Sequence, residues 1–441
     1  MKRTKLSPKF WAALTIFSLV GQIAWVVENM YFNVFIYKMF HASAAAISTM
    51  VAASAVAATL TTVFIGALSD KLGKRKLFMC GGYVLWGVSI WSFALIRTDV
   101  ISGLFPAAAS AASVGVSLVI IMDCVMTFFG SSANDACFNA WLTDSTDETN
   151  RGAAEGVNAM MPLLAILAVF GGFMGFDLDQ ASSWVTIFTV IGVVVLAIGV
   201  LGFFLIKEPK VDTSANQSVL RNISYGFRPS VMRKNPALYL TLAAFAIFGI
   251  SIQIFMPYLI LYYEVTLRMD NYVLIMAPAI VLAAVVTVFY GKLYDRIRFR
   301  GALPPALAML AAGYVLLFLT RSTVPVFLGS LLMMSGYLAG MAVFGAMLRD
   351  QTPANRAGMF QGLRIVGQVL IPGVIGPWIG AMVLRNADTI VGSDGTVSFI
   401  PHAGIFLAAL AAELFAALPV LPLLRGKKEQ PTADGQDSPA R

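Results

Sequence analysis

The chain has 441 residues, of which 58% are hydrophobic and only 12% are charged, and its mean hydropathy is +0.79. Soluble domains carry about 25% charged residues, so this composition excludes a soluble globular protein and indicates one that crosses a membrane many times. The formal net charge of +8 fits basic loops that face anionic lipid headgroups. We therefore expect a lipid bilayer as partner and no nucleic acid.

The sequence shows no catalytic or cofactor-binding pattern. His41 and His402 are the only histidines, and the three cysteines lack the spacing of metal ligands. There is also no phosphate-binding loop for a nucleotide. We expect no enzyme activity, no metal and no cofactor, and no process that is driven by ATP.

Polar side chains mark the outer half of the first predicted helix, about residues 10–37. They are Gln22, Trp25, Glu28, Asn29 and Asn33. All but Glu28 follow the spacing of one helix face, and Glu28 lies at its edge. Polar groups inside a membrane face either a cavity or a neighbouring helix. The density of this face favours a cavity, and helix–helix contact is the alternative.

A short basic loop, residues 66–76, separates predicted helix 2 (about 45–67) from helix 3 (about 77–96). It reads Gly-Ala-Leu-Ser-Asp-Lys-Leu-Gly-Lys-Arg-Lys, and its cations predict a cytoplasmic location. Gly66 would let two helices approach closely, and Gly73 would supply a turn. Asp70 would face a helix N-terminus or a nearby arginine.

The apolar segment 105–143 is too long for one straight span, so we predict an interfacial lead-in followed by helix 4, after a short outer loop at 97–102. Its polar residues form a stripe on one helix face: Asp123, Thr127, Ser131, Asp135 and Asn139, with Asn134 beside them. Asp123 lies near mid-membrane, where a carboxylate is a functional candidate. A structural pairing within the bundle is the alternative.

Predicted helices 5 (about 153–175) and 6 (about 183–206) complete a first unit, residues 1–206. The basic stretch 207–235 has no apolar periodicity, and we predict a cytoplasmic linker there. The second half is predicted to contain helices 7 (about 236–262), 8 (272–290), 9 (302–320), 10 (324–347), 11 (358–385) and 12 (402–424). It spans residues 236–424 and is followed by a polar cytoplasmic tail, 425–441.

The second half repeats the basic loop of the first. Gly291, Asp295 and Arg296 lie 225 residues after Gly66, Asp70 and Lys71. The second copy departs at Arg298, where the first has Gly73, so we expect the first loop to be the better conformational element. An internal repeat of this kind indicates two six-helix bundles related by pseudo-symmetry.

The basic loop resembles the loop signature of the major facilitator superfamily of transporters. The resemblance implies an all-α polytopic membrane protein with 12 transmembrane helices in two pseudo-symmetric six-helix bundles, which rock about a central site. It also implies gating by the loops, with Asp70 and its cationic neighbours bracing an inner gate near the start of helix 11. The gating residues would be Gly66, Asp70, Lys71, Gly73, Lys74, Arg75, Asp295 and Arg296.

Residues 133–144 and 360–364 resemble the bacterial glycoside–pentoside–hexuronide and sucrose-type symporters. The resemblance implies a sugar or glycoside as the solute and a cavity lined by helices 1, 4, 7, 10 and 11. The cavity residues would be Gln22, Trp25, Glu28, Asn29, Asp123, Asn134, Gln253, Tyr258, Tyr337, Arg364, Gln368 and Trp378. Their amides, charges and rings suit hydroxyl groups and sugar faces.

Glu28, Asp123 and Asp135 are the candidates for coupling to a cation. Helix 2 lacks the pair of acids found in melibiose-type carriers, which counts against sodium, and one of the three carboxyl groups could instead carry a proton. Coupling to another cation is the alternative. An exporter of amphipathic compounds is the alternative function, and a non-transporting sensor or a lipid scramblase is a third. We expect a monomer in the bacterial inner membrane with both termini in the cytoplasm.

Overall fold

The computed structural model describes residues 6–106, 110–147, 149–208, 226–269, 271–352, 362–391 and 395–425. Within these residues, twelve helices are long and apolar enough to cross a membrane. In order, helices 1–12 are Pro8–Phe40, Ala44–Leu72, Arg75–Leu95, Ala111–Asp144, Arg151–Phe173, Ala181–Leu205, Pro236–Thr266, Val273–Tyr294, Arg296–Leu319, Thr323–Gln351, Gly362–Asn386 and Gly404–Arg425. Each overlaps the span predicted at its place in the chain.

Local capping explains why the first two helices begin where they do. Ser7 and Ser43 precede helices 1 and 2 in extended conformation, and their side chains accept hydrogen bonds from the backbone N–H groups of Phe10 and Ala46. A serine at this position satisfies a donor that the helix itself leaves free. Helix 2 ends at Gly73, whose positive φ of 62° is a conformation that glycine adopts readily.

Three further elements were not predicted from the sequence, and the first of them corrects a predicted loop. The predicted outer loop at 97–102 instead forms most of a short helix, Thr98–Leu104, which precedes helix 4. The predicted linker contains a short helix, Pro229–Lys234, although residues 209–225 lie outside the described part. Between helices 11 and 12, strands β1 (Thr389–Val391) and β2 (Val397–Phe399) pair antiparallel. In the part of the chain that the structure describes, the regular structure is therefore helical apart from one small hairpin.

Helices 1–6 pack together as one half and helices 7–12 as the other. Glycines allow close contact within each half: a Cβ on Gly87 of helix 3 would lie 2.4 Å from the backbone nitrogen of Leu196 in helix 6. Between the halves, helix 2 packs on helix 11, where a Cβ on Gly373 would lie 2.5 Å from the Ala55 Cβ. Small residues suit such contacts in membranes.

We name the two ends of the bundle by what they carry. The hairpin end holds the turn at 41–43 and strands β1 and β2. The basic end holds the loops at 73–74 and 145–150, the start of helix 1 and the end of helix 12. The tail that follows residue 425 lies outside the described residues.

Candidate functional site

Two buried carboxyl groups lie together between helices 1, 2 and 4. The Thr127 hydroxyl donates to Glu28 Oε1 at 2.8 Å, and the Ser54 hydroxyl donates to Asp123 Oδ2. The two hydroxyls are 3.4 Å apart, so the four side chains form one continuous chain. Glu28 and Asp123 are 8% and 1% exposed, which keeps both carboxyl groups away from solvent.

Each carboxyl group keeps one oxygen unpaired. Among the described residues, Glu28 Oε2 and Asp123 Oδ1 are buried and have no hydrogen-bond partner. A buried oxygen without a donor is uncommon in a native structure and calls for an explanation such as a ligand. We call Glu28, Ser54, Asp123 and Thr127 the carboxyl cluster.

Four helices depart from α-helical geometry at positions that carry polar side chains. Segments of π-helix occur at Val27–Tyr31 in helix 1, Ser131–Phe138 in helix 4, Tyr262–Thr266 in helix 7 and Val366–Leu370 in helix 11. They contain Glu28, Asp135, Glu264 and Gln368 respectively. Such segments are rare and are frequent at functional sites, which supports a site formed by these helices.

Asn134 and Asp135 lie farther along helix 4 and take part in other contacts. Asn134 is 3% exposed and donates to the Tyr83 hydroxyl at 2.6 Å, and Tyr83 donates to the Phe17 carbonyl at 2.7 Å. Asn134 therefore joins helices 1, 3 and 4 inside the first half. Asp135 is half-buried and accepts from Ser131 at 3.0 Å, outside the carboxyl cluster.

The other predicted residues of helix 1 are not brought into the carboxyl cluster. Trp25 packs against Trp86 of helix 3, with ring centroids 5.1 Å apart and an angle of 49° between the ring planes. Asn29 is exposed and donates to the Trp25 carbonyl at 2.7 Å, a bond within its own helix. Gln22 is half-buried, two turns before Glu28 in the same helix.

In the second half, the predicted residues divide into three groups. Gln253 and Gln368 are half-buried, and Gln253 touches helix 11 at Gly376. Tyr258 lies at the hairpin end, where its hydroxyl donates to the Ala44 carbonyl at 3.0 Å. Tyr337 is half-buried and packs against the apolar core.

Trp378 and Arg364 stand apart from these residues. Trp378 is 59% exposed and lies on the side of helix 11 opposite its glycine contacts with helices 2 and 7, so the structure directs it away from the site in which it was expected. Arg364 is half-buried near the start of helix 11.

The first basic loop is held by its own half. Arg75 is buried and pairs with Asp70, and it also contacts Asp144 of helix 4 at 3.0 Å. This confirms the expectation that Asp70 faces an arginine. Lys71 and Lys74 are exposed. The predicted brace between Asp70 and helix 11 stays a prediction, because residues 353–361 lie outside the described part.

The structure bears on two expectations about the glycines of this loop. A Cβ on Gly66 would lie 3.8 Å from the Ala136 Cβ, which is ordinary contact, so no close helix approach requires this glycine here. Gly73 supplies the expected turn in the left-handed helical conformation, with φ 62° and ψ 24°. Arg298, at the equivalent position, also has positive φ, but its φ of 56° and ψ of −173° are a different and strained conformation.

The second basic loop shows a similar pairing. Arg298 lies 3.8 Å from Asp350 at the end of helix 10, and Tyr294 donates to Asp350 at 2.8 Å. Arg296 is exposed, and the side chain of Asp295 lies outside the described residues. In both halves, then, a basic loop contacts the aspartate that ends the fourth helix.

Hydrogen bonds join the two halves at the hairpin end. They link Lys38 to Glu264, Tyr31 to Tyr272, Tyr37 to the Phe399 carbonyl, His41 to Ser398 and Tyr258 to the Ala44 carbonyl. Lys38 also contacts Asp179 at 3.1 Å. These contacts close the interface between the halves at this end.

The sequence analysis did not assign four of the residues described above to a functional site. Ser54 lies among the small residues of helix 2, which were assigned to helix packing. Thr127 was placed on the polar stripe of helix 4 but was not assigned to the site. Lys38 and Glu264 are 226 residues apart in sequence, and no local signal links them.

The family of the chain follows from comparison with known proteins. The family model of the Major Facilitator Superfamily matches residues 11–377, which is most of the chain, so the chain belongs to this superfamily. It has the superfamily fold of 12 transmembrane helices in two bundles, and it is a transporter of this class. No curated protein sequence matches it.

Solved structures of transporters share the fold at low sequence identity. A bacterial homologue of the human lysosomal transporter Spinster, in an inward-facing and unoccupied conformation, has a TM-score of 0.69 at 14% identity, over 96% of this chain and 98% of that chain. The xylose transporter XylE from E. coli, in a partially occluded inward-open conformation, has a TM-score of 0.69 at 13% identity, over 95% of this chain and 100% of that chain. The nucleoside transporter NupG has a TM-score of 0.66 at 12% identity, over 94% of this chain and 99% of that chain.

Proposed function

We propose that this protein is a secondary active transporter that moves a small polar solute, a sugar or glycoside, by alternating access coupled to a proton or another cation. The carboxyl cluster carries the proposal. Two ionised carboxylates side by side in a membrane interior would be strongly unfavourable without a counter-charge. A proton or a cation on Glu28 and Asp123 supplies that counter-charge.

The position of the carboxyl cluster suits coupling to a conformational change. Ser54 precedes Ala55, which packs against Gly373 of helix 11 in the other half. Binding or release of a proton or cation at Asp123 therefore acts, through the hydrogen bond from Ser54, on helix 2. Helix 2 forms part of the interface between the halves. Binding of a cation can then favour one arrangement of the halves over the other, as differential binding requires.

The closed hairpin end supports a proposal for the conformational state that this structure represents. If the basic end faces the cytoplasm, as its cations suggest, the protein is closed to the outside and stands in an inward-facing state. On the same orientation, both ends of the helical region would face the cytoplasm, and we propose that the membrane is the inner membrane of a bacterium. Impermeant labelling of a cysteine introduced at exposed Lys74, in intact cells and in inverted vesicles, tests this orientation.

The test of function is uptake by the purified protein in proteoliposomes. Radiolabelled pentoses, hexoses and disaccharides are supplied with an imposed proton or sodium gradient. We expect accumulation of at least one sugar above equilibrium, abolished when the gradient is collapsed. Extrusion of an amphipathic dye without sugar uptake would favour the exporter instead, and lipid mixing without solute flux would favour a scramblase.

A further inference from the structure

Glu413 of helix 12 is a buried carboxyl group in the second half that the proposed function does not use. It is 4% exposed, and both of its carboxyl oxygens are buried without a hydrogen-bond partner among the described residues. Glu28 and Asp123 differ from it, because each of them receives a hydrogen bond on one oxygen. A buried acid whose two oxygens both lack a donor is uncommon and needs an explanation.

Glu413 lies near the middle of its membrane-spanning helix. It comes nine residues after Gly404, where helix 12 begins, and twelve residues before Arg425, where the helix ends. At 1.5 Å per residue these separations are about 14 and 18 Å. They place Glu413 near the centre of a hydrocarbon core that is about 30 Å thick, where a charged side chain is most costly.

No counter-charge reaches Glu413 from the described parts of the helices that surround it. Helix 12 packs on helix 7, on helix 11 and on the segment that contains helices 8 and 9. The charged residues of these helices all lie within about one turn of a helix end. The ion pairs of the described residues do not include Glu413. An ionised Glu413 would therefore stand alone in the membrane interior.

The neighbouring hydroxyl groups have no proton to spare for Glu413. Ser251 of helix 7 donates at 2.9 Å to the carbonyl of Ala409, which lies one turn before Glu413 on the buried face of helix 12. Tyr314 of helix 9, the titratable group nearest to this level, contacts the Ser251 oxygen at 2.9 Å. A hydroxyl has one proton, so Tyr314 is the donor in that pair. Glu413 must then carry a proton of its own.

We propose that Glu413 is a second site of cation coupling, which binds a proton and exchanges it in each transport cycle. This inference rests on the proposed function. A proton fits the position better than a metal ion, because hard metal ions take several oxygen ligands. Among the described residues, no group of three or more His, Cys, Asp or Glu side chains forms. The exchange is a simple transfer, in which water delivers a proton to a carboxyl oxygen in one state and accepts it in another.

Helix 7 connects this site to the interface between the halves. Ser251 holds helix 12, and Gln253, two residues later, touches Gly376 of helix 11. Farther along helix 7, Tyr258 donates to a carbonyl of helix 2 in the first half. A proton on Glu413 favours close packing of helices 7 and 12 because it removes a buried charge. Its binding and release can therefore bias the arrangement of the halves, as differential binding requires.

Infrared spectroscopy tests the proton itself on the purified full-length protein, without any solute. The C=O band of a protonated carboxylic acid is distinct from the bands of a carboxylate. We expect the difference spectrum between wild type and Glu413→Gln at neutral pH to contain a band of a protonated acid. Glu155→Gln is the matched control, because Glu155 of helix 5 is exposed, and its difference spectrum should lack this band.

The coupling role is tested by how far the solute accumulates in proteoliposomes. At the limit of uptake, without a membrane potential, each coupled proton contributes about a factor of ten in concentration ratio for a pH difference of one unit. We therefore expect Glu413→Gln to accumulate the solute about tenfold less than the wild type at this limit. Glu413→Asp, which keeps an acid, and Glu155→Gln should both retain the limiting ratio of the wild type.

Either of two results would overturn the inference. One is a difference spectrum of Glu413→Gln without the band of a protonated acid. The other is an unchanged limiting ratio in Glu413→Gln, which would show a fixed proton that takes no part in transport. Failure of the wild type to accumulate any solute would instead overturn the proposed function, and the infrared result would still decide whether Glu413 holds a proton.

Discussion

The ion pair of Lys38 provides a direct test of how the hairpin end is closed. Lys38 Nζ contacts Glu264 of helix 7 and lies 3.1 Å from Asp179, and its side chain is only 7% exposed. Lys38→Met keeps an apolar stem but removes the cation from between two carboxylates. We expect the hairpin end to open more often in this variant.

The free energy that Lys38 contributes depends on how exposed its two carboxylate partners are. Hydrogen bonds to charged groups contribute about 1.5–3 kcal/mol, but solvent weakens pairs that are exposed. Asp179 is 75% exposed and Glu264 is 21% exposed, so Glu264 provides most of the interaction. We expect a loss of about 1–2 kcal/mol, which raises the ratio of open to closed molecules roughly 5- to 30-fold.

Cysteine labelling measures this ratio. Ala44 is 6% exposed, and its carbonyl accepts from Tyr258 of the other half, so Ala44→Cys becomes accessible only when the hairpin end opens. The three native cysteines, Cys80, Cys124 and Cys137, are replaced by alanine. The rate of maleimide labelling should rise in the Lys38→Met variant by the factor given above.

A second ion pair at the same end supplies the control. The hydrogen bond from Arg97 lowers the pKa of the Asp99 carboxyl, but both side chains are exposed and lie within one half. Arg97→Gln should therefore leave the labelling rate of Ala44→Cys unchanged. An unchanged rate in Lys38→Met as well would refute the argument that this pair closes the hairpin end.

The remaining predictions concern substitutions to or from glycine, and for each the thermal unfolding midpoint is measured in detergent. Arg298→Gly should raise it, since a non-glycine residue at φ 56° and ψ −173° is strained by about 1–3 kcal/mol; a lower midpoint would contradict this. Gly73→Arg should lower the midpoint because arginine would be strained at φ 62°; an unchanged midpoint would contradict this strain argument. Gly313→Ala should lower it strongly because its Cβ would lie 2.4 Å from the Met333 backbone nitrogen, whereas Gly66→Ala, with its nearest atom at 3.8 Å, should be neutral.

The fold could be predicted because its signals are local. Twenty or so apolar residues and flanking cations define each span, and the spacing of 225 residues between the basic loops defines the repeat. Gly73 and Arg298 both have positive φ, but their ψ angles of 24° and −173° differ, so the two loops do not share one turn conformation. The small hairpin at 389–399 was missed because strands of three residues leave no clear pattern.

The site could be predicted only in part, for two physical reasons. Glu28 and Asp123 were found because a carboxylate inside a span is conspicuous. The face assigned to helix 1 did not hold as a unit, because the π-helical segment Val27–Tyr31 adds a residue to a turn and changes the direction of the side chains that follow. Ser54 was missed because a lone hydroxyl among small residues is typical of helix packing.

The proposed coupling of solute movement to a cation depends on the carboxyl cluster, and Asp123 is the residue at which this can be tested. Asp123→Asn tests it directly in proteoliposomes, with the solute found in the uptake screen and with Asp135→Asn as the matched variant outside the cluster. We expect Asp123→Asn to exchange solute across the membrane but not to accumulate it against a gradient, while Asp135→Asn still accumulates it. Accumulation by Asp123→Asn at the level of the wild type would refute a role of the carboxyl cluster in coupling.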